Sequence, residues 1–239
     1  MFYLLLLLVY KVVMFATYKK IYCDFDGTIS KNDCVTRFLS TFADKKWLED
    51  EELWVSGKIS ARECLIRQVD ALPPMSEETL QAYINTIEID EHFIDFYNFL
   101  KTKDIQLIIL SDGFDLFIKK TLERYGLEDI EYHANSLKHM GNRFSIEFCN
   151  YNENCKVKSG CCKCSKILEK EFCYIGDGTS DFCIAKKINA AKKAGVMRKV
   201  FAKGTLENFC VKMDIPYISY NTFGNILETF KKEEERCNI

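Results

Sequence analysis

The sequence predicts an α/β fold: a doubly wound, Rossmann-like parallel sheet with a small helical cap inserted after the first strand. Three observations carry that prediction. Short apolar runs at Ile21-Tyr22-Cys23, Gln106-Leu107-Ile108-Ile109-Leu110 and Phe172-Cys173-Tyr174-Ile175 read as buried strands. Each run ends in a polar turn containing glycine: Asp24-Phe25-Asp26-Gly27-Thr28, Ser111-Asp112-Gly113 and Gly176-Asp177-Gly178-Thr179-Ser180-Asp181. Between the first and second runs lie about sixty residues, 31–90, with helical periodicity and no buried strand, more than a single crossover needs. In an open α/β sheet, ligands bind at the carboxyl edge of the strands, where these three turns fall.

Residues 1–18 form a hydrophobic N-terminal extension. Phe2 to Tyr10 is apolar without a break, then Lys11 interrupts. That run is shorter than the ~20 residues a membrane-spanning helix takes. Three readings stand: an uncleaved anchor that tolerates one lysine, a signal peptide lacking a charged start and a clear cleavage site, and a non-native start with Met14 as initiator. The third is the expectation, because a cleaved segment leaves almost no lead before the first strand.

After Thr28 the spacing changes from strand to helix. Cys34, Val35, Phe38, Leu39 and Phe42 recur at helical intervals, and Trp47, Leu48, Leu53 and Trp54 continue them. Ser60 is placed to cap a helix through Leu65, Ile66 and Val69, with Glu63 at the capping-box position. Pro73-Pro74 ends it and Ser76-Glu77-Glu78 starts the next. Phe93, Phe96, Tyr97 and Leu100 mark the apolar face of a helix back in the core. A helix through Phe117, Ile118 and Leu122 ends near Gly126, and Met140-Gly141-Asn142 reads as a hairpin turn between short strands. The spacing predicts a helix from Lys163 to about Lys170, another from Phe182, and late strands at Val200-Phe201-Ala202 and Tyr217-Ile218-Ser219. The charged run Lys231 to Arg236 reads as a solvated helix end. The domain layout expected is therefore residues 1–18 as extension, 19–30 with 93–239 as core, and 31–92 as cap. At 239 residues, 48% of them hydrophobic, the chain can build one sizeable core plus a smaller domain.

A formal net charge of −2, with no long Lys/Arg run beside aromatics, argues against a nucleic-acid surface. The chain has 12 cysteines. Cys23, Cys173 and Cys183 fall in predicted core segments, where a free thiol acts as a small hydrophobe. A reducing, cytoplasmic location is expected, the alternative being a membrane anchor through residues 1–18. Cys149, Cys155, Cys161, Cys162 and Cys164 invite a zinc reading. Only Cys161-x-x-Cys164 has the pair spacing of a structural site, with Cys155 as third ligand and His139 the nearest histidine, so loop packing or incidental thiols are the expectation.

The chemistry starts at Asp24 and Asp26. Two carboxylates one residue apart at a strand end ordinarily point to opposite faces. Gly27 lets the chain turn at once, so both acids can converge. Like charges raise each other's pKa, and a bound divalent cation removes the conflict. That geometry suggests a Mg²⁺-assisted site with one carboxylate as nucleophile and the other as proton carrier.

The three motifs in this order resemble the haloacid dehalogenase superfamily of aspartyl-phosphate phosphatases, over residues from about 20 to 220. The resemblance implies Mg²⁺-dependent hydrolysis of a small phosphate monoester through an aspartyl-phosphate. It implies Asp24 as nucleophile, Asp26 as general acid and base, Ser111 and the Gly113 N–H on the phosphoryl oxygens, and Asp24, Asp26, Asp177 and Asp181 around the metal, with Asp181 the more suited to orienting. It also implies a lysine that neutralises the phosphoryl charge. Ser159-Gly160-Cys161-Cys162-Lys163 resembles the G-x-C-K pattern of the methionine-salvage branch, within the phosphoserine phosphatase group (subfamily IB), which favours Lys163 over Lys166. Cys155 and Cys162 match that branch's cysteine positions, while Tyr151 and Ser159 depart from it. Asp33, nine residues after the nucleophile, stands where phosphoserine phosphatases place an acid facing the substrate amine. An N-cap is the equal alternative. The carboxylate-binding Arg of those enzymes falls on Gln68, with Arg67 adjacent. A small phosphorylated metabolite is the expected partner, with membrane association and oligomeric state open. Competing readings are a phosphatase for phosphoserine or another amino-alcohol phosphate, a non-catalytic binding protein on the same fold, and a dehalogenase, which the second acid disfavours. His92 and His133 read as surface or structural histidines.

Overall fold

A computed structural model describes residues 18–150, 152–153, 155, 158–169, 171–192 and 198–237. The elements in chain order are β1 (Lys20–Cys23), α1 (Cys34–Phe42), α2 (Trp47–Val55), α3 (Ala61–Asp70), α4 (Glu77–Ile84), α5 (Phe93–Thr102), β2 (Gln106–Phe114), α6 (Asp115–Tyr125), β3 (Glu131–Met140) and β4 (Arg143–Glu147). After them come α7 (Lys163–Lys166), β5 (Phe172–Gly176), a 3₁₀ turn (Thr179–Asp181), α8 (Phe182–Lys192), β6 (Arg198–Ala202), α9 (Gly204–Lys212), β7 (Ile218–Ser219) and α10 (Phe223–Cys237). The strands form one seven-stranded sheet in the order β4-β3-β2-β1-β5-β6-β7. Only β3 and β4 are antiparallel among the pairs described.

Two compact units divide the chain. One holds Met1–Cys23, Asp90–Leu107 and Leu168–Ile239. Here β1 pairs in parallel with β5, Ile21 opposite Cys173 and Cys23 opposite Ile175, and β5 pairs with β6. Every residue of β5 is buried, as expected of a parallel strand covered on both faces. Phe93 and Phe96 of α5 pack on Phe223 of α10 with ring centroids 4.9 and 5.3 Å apart. The charged end of α10 departs from the expectation of a solvated run. Glu233 takes Lys199 at 2.5 Å, and Glu234 pairs with Lys103, so two of its acids dock on the unit.

The other unit holds Asp24–Ile89 and Ile108–Ile167. A bridge between Ser30 and Ile89 closes the base of the helical insert. Its caps follow the sequence: Asp33 accepts from Thr36 N at 2.7 Å, Ser60 from Glu63 N at 3.1 Å and Ser76 from Thr79 N at 3.2 Å. Phe38 of α1 anchors the insert, with ring centroids 4.8 Å from Tyr83, 5.1 Å from Phe117 and 5.9 Å from Phe144. Gly141-Asn142 turns β3 into β4, and α6 ends on Gly126 in the left-handed conformation.

Two local expectations are corrected. The helix predicted over 163–170 is a single turn, Lys163–Lys166, after which Ile167 is extended. Ile167 is buried and sets the chain's direction into the next strand. Cys149 and Cys161 form a disulfide and are not incidental thiols. The Asn150–Cys161 bridge brings their Cα atoms to 5.2 Å, within disulfide reach. Among the described residues no helix is long and apolar enough to cross a membrane. The readings of residues 1–17 lie outside the described part.

Candidate active site

Asp24 is buried, one residue past β1. Its Oδ1 accepts from its neighbour Phe25 N at 2.8 Å and lies 2.9 Å from Lys163 Nζ. The lysine side chain is only 2% exposed, so the pair is shielded from solvent. Lys163 opens the one-turn α7, at the end of a loop whose return is fixed by Cys162 N donating to Asn150 O at 3.0 Å. Lys166 sits at the far end of that turn, half-buried.

Gly27 adopts φ 70°, the left-handed turn expected of it. That bend returns Asp26 to the site. Its Oδ1 accepts from Cys34 N at 3.0 Å, at the start of α1, and its Oδ2 from Ser111 Oγ at 3.2 Å. Burial first, and the nearby Asp33 charge second, push the Asp26 carboxyl up to about 7, against the bonds from Cys34 and Ser111. Asp33 is exposed and its carboxylate caps α1. The N-cap reading is thus realised, while its charge still reaches Asp26.

Ser111, Asp112 and Gly113 occupy a register shift in β2. Leu110 pairs with His133, but Phe114 pairs with Asn135, so β2 carries extra residues between them. Such a bulge redirects side chains. Ser111 is fully buried and accepts from Gly113 N at 2.9 Å. A Cβ on Gly113 would lie 2.1 Å from Asp26 Oδ2, so any larger residue there would displace the Asp26 carboxylate.

The β5 end supplies two further acids. The Cys23–Ile175 register sends the chain off β1 and β5 at the same sheet edge. Asp181 is fully buried and accepts from Tyr174 Oη at 2.5 Å and from the Asp177 and Gly178 N–H groups at 3.1 Å each. These bonds shape the turn that carries Asp177, which is half-buried. Asp177 and Asp181 thus place two carboxylates within one turn at the end of β5. Their carboxylate oxygens suit a hard divalent cation such as Mg²⁺.

In the insert, Gln68 is buried and donates from Nε2 to Glu51 Oε2 at 2.9 Å. Arg67 is committed to Glu63 at 2.5 Å and Asp50 at 3.3 Å. His92 precedes α5 beside Glu91, and His133 lies 3.1 Å from Glu131. Sequence reasoning passed over Asp112. Its signal was present, an acid inside the Ser111-Asp112-Gly113 turn, but the motif reads equally as a plain turn.

The family model for haloacid dehalogenase-like hydrolases matches residues 21–186. The chain is 30% identical over 220 residues to 2-hydroxy-3-keto-5-methylthiopentenyl-1-phosphate phosphatase of Bacillus pumilus (strain SAFR-032), covering 89% of this chain and 91% of that one. It is 28% identical over 226 residues to the protein of the same name in Geobacillus thermodenitrificans (strain NG80-2), covering 90% and 96%. Among solved structures, a phospho-aspartyl intermediate analogue of phosphoserine phosphatase superposes with a TM-score of 0.61 at 23% identity, over 89% of this chain and 99% of that one, a likeness of fold. The chain belongs to the haloacid dehalogenase-like hydrolases. Its activity within them is that of a phosphoric monoester hydrolase.

Proposed function

We propose that the chain hydrolyses a small enol or sugar-like phosphate monoester lacking a carboxylate, of the kind its relatives' name describes and with a place in methionine salvage, with Asp24 as nucleophile. The buried Asp24–Lys163 pair carries this reading. A carboxylate held by one N–H and one ammonium is fixed in direction, and it attacks phosphorus without needing a strong base. Lys163 stands beside the attacking oxygen and meets the negative charge of the transferring phosphoryl group. Ser111, whose hydroxyl here donates to Asp26, would redirect it to the same group. Asp26, with its carboxyl held protonated near neutrality, donates a proton to the leaving oxygen and then takes one from the water that cleaves the aspartyl-phosphate. Asp24, the Asp26 backbone carbonyl and Asp177 would hold Mg²⁺, and Asp181 would orient Asp177. The ion supplies charge neutralisation and in-line alignment.

The substrate choice is supported by Gln68 and Arg67. A free guanidinium grips a carboxylate bidentately, whereas an amide does not. Here the Gln68 amide is spent on Glu51 and the Arg67 guanidinium on Asp50 and Glu63. One observation favours the phosphoserine reading: the exposed Asp33 carboxylate close enough to Asp26 to act on it. A panel of phosphate monoesters assayed with and without Mg²⁺ tests both. Turnover of the methylthiopentenyl phosphate above phosphoserine supports the proposal. The reverse order supports the amino-alcohol reading, and no turnover of any member rejects the activity.

A further inference from the structure

Asp112 has no part in the chemistry above, yet it is tied more heavily than its neighbours. Its Oδ1 accepts from Cys161 N at 3.0 Å and from Asn135 Nδ2 at 3.2 Å. Asn135 Nδ2 also donates to the Asp112 backbone carbonyl at 2.7 Å, and the Gly160 N–H reaches the same carboxylate. Asp112 lies one residue past Ser111, and Cys161 lies two residues before Lys163. One carboxylate therefore joins the β2 bulge that presents Ser111 to the loop that delivers Lys163.

The surroundings fit a bracket built to a fixed size. Asn135 is fully buried and sits opposite Phe114 at the end of the bulge. A Cβ on Gly160 would lie 1.9 Å from the Phe148 ring and 2.9 Å from Asn135 Oδ1, so the loop approaches as closely as a backbone can. Asn135 Oδ1 is buried with no hydrogen-bond partner among the described residues. Burial of the Asp112 carboxyl raises its pKa above the usual carboxylate range, opposed by the Cys161 and Asn135 bonds and by the Lys163 charge.

We infer that Asp112, braced by Asn135, is a positioning residue that sets the separation of Ser111 and Lys163 and so the shape of the phosphoryl site. This rests on the reading that Ser111 and Lys163 serve phosphoryl transfer. The pair also has a built-in rescue. With Asp112→Asn, the side-chain oxygen can keep the Oδ1 position and still accept from Cys161 N and from Asn135 Nδ2, so the Asn135 bond to the backbone carbonyl of residue 112 also stays. With Asp112→Ala, the Cys161 N–H loses its partner and Asn135 Nδ2 keeps only the backbone carbonyl of residue 112.

The test measures kcat and KM on p-nitrophenyl phosphate with Mg²⁺, and the melting temperature, for the unsubstituted enzyme, Asp112→Asn, Asp112→Ala, Lys163→Ala and the double Asp112→Ala/Lys163→Ala variant. Misplacing a group by about 1 Å costs up to ~10²-fold, so Asp112→Ala should lose at least ~10-fold in kcat with KM nearly unchanged. Asp112→Asn should stay within about threefold of the parent, since one side-chain oxygen keeps the bonds from Cys161 N and Asn135 Nδ2. The double variant should lose less than the product of the two single losses, because the part of the Asp112 effect that acts through Lys163 is already gone. Full kcat in Asp112→Ala, or losses that add in the double variant, overturns the inference. If Lys163→Ala itself keeps activity, the functional reading has failed instead. Should Asp112→Ala not fold, Asn135→Ala takes its place with the same two outcomes.

Discussion

Two carboxylates in the same unit are held in opposite ways. Asp24 is paired with an ammonium, Lys163 Nζ at 2.9 Å, in a setting closed to solvent. Glu51 is paired with a neutral amide, Gln68 Nε2 at 2.9 Å, on the helical insert. The distances match and the charges do not. A cation stabilises the ionised acid and points it, whereas an amide satisfies one lone pair and leaves the charge uncompensated. Burial accordingly raises the Glu51 pKa, with the Asp33 charge adding to it and the Gln68 and Cys64 bonds opposing it. The contrast separates an acid that faces a cation from one that faces only an amide.

The largest effect expected is at the charged pair. Asp24→Asn should abolish turnover and prevent a beryllofluoride adduct, while the fold survives. The amide oxygen still accepts from Phe25 N and Lys163, so the melting temperature should change little. Retention of about a tenth of the parent kcat would remove Asp24 from the nucleophile's role. Next comes the cation. Lys163→Ala should lower kcat by ~10²–10³, the scale of lost transition-state charge stabilisation. It should also destabilise the chain, since a buried carboxylate loses its partner. Lys166→Ala should be mild on both counts. Steady-state kinetics and thermal melts on the two variants check this, and the opposite ranking would move the lysine by one helical turn.

The two members of the comparison were not equally legible in the sequence. Asp24 was readable because a strand, an acid pair and a glycine coincide within a few residues, and local spacing fixes such a turn. The family pattern added Lys163, which no local rule singles out. Its contact with Asp24 spans more than a hundred residues and depends on where β1 ends. The insert's helices were legible from caps at Ser60 and Ser76, since capping is local chemistry. Glu51 was invisible, being one acid in the acidic run of α2. Its burial follows from how α3 packs on α2, a tertiary fact. Asp112 failed for the same reason: its partners at 135 and 161 are remote in sequence. The disulfide was missed because twelve cysteines offer many pairings, and only the Asn150–Cys161 bridge selects one.

A smaller effect concerns substrate choice, where the neutral member of the comparison acts. If Gln68 stands where the resemblance places the carboxylate-binding Arg of phosphoserine phosphatases, the insert offers Glu51, and not a cation, beside that position. Phosphoserine should then show a kcat/KM at least ~10-fold below that of a methylthiopentenyl phosphate under the same Mg²⁺, the worth of about one lost charge-assisted bond. A preference for phosphoserine would make Asp33 the amine contact and give the insert the amino-alcohol role.

The smallest effect sharpens the comparison through pH. The folded-state pKa of Glu51 lies above its unfolded value, so the native state binds this proton more tightly than the unfolded chain does. Its contribution to stability is therefore full below the ordinary Glu pKa of about 4.3 and is lost as pH rises through the raised folded value. Glu51→Gln removes that loss while keeping an oxygen to accept from Gln68. The substituted chain should melt at the same temperature as the parent in acid and at a higher one at neutral pH. The difference should open over the window just above the usual carboxylate range. Melting curves of both proteins from acid to neutral pH give the answer. A constant difference at every pH, or a parent more stable at neutrality, would mean that the Glu51 charge is compensated in the fold, and the contrast with Asp24 would collapse.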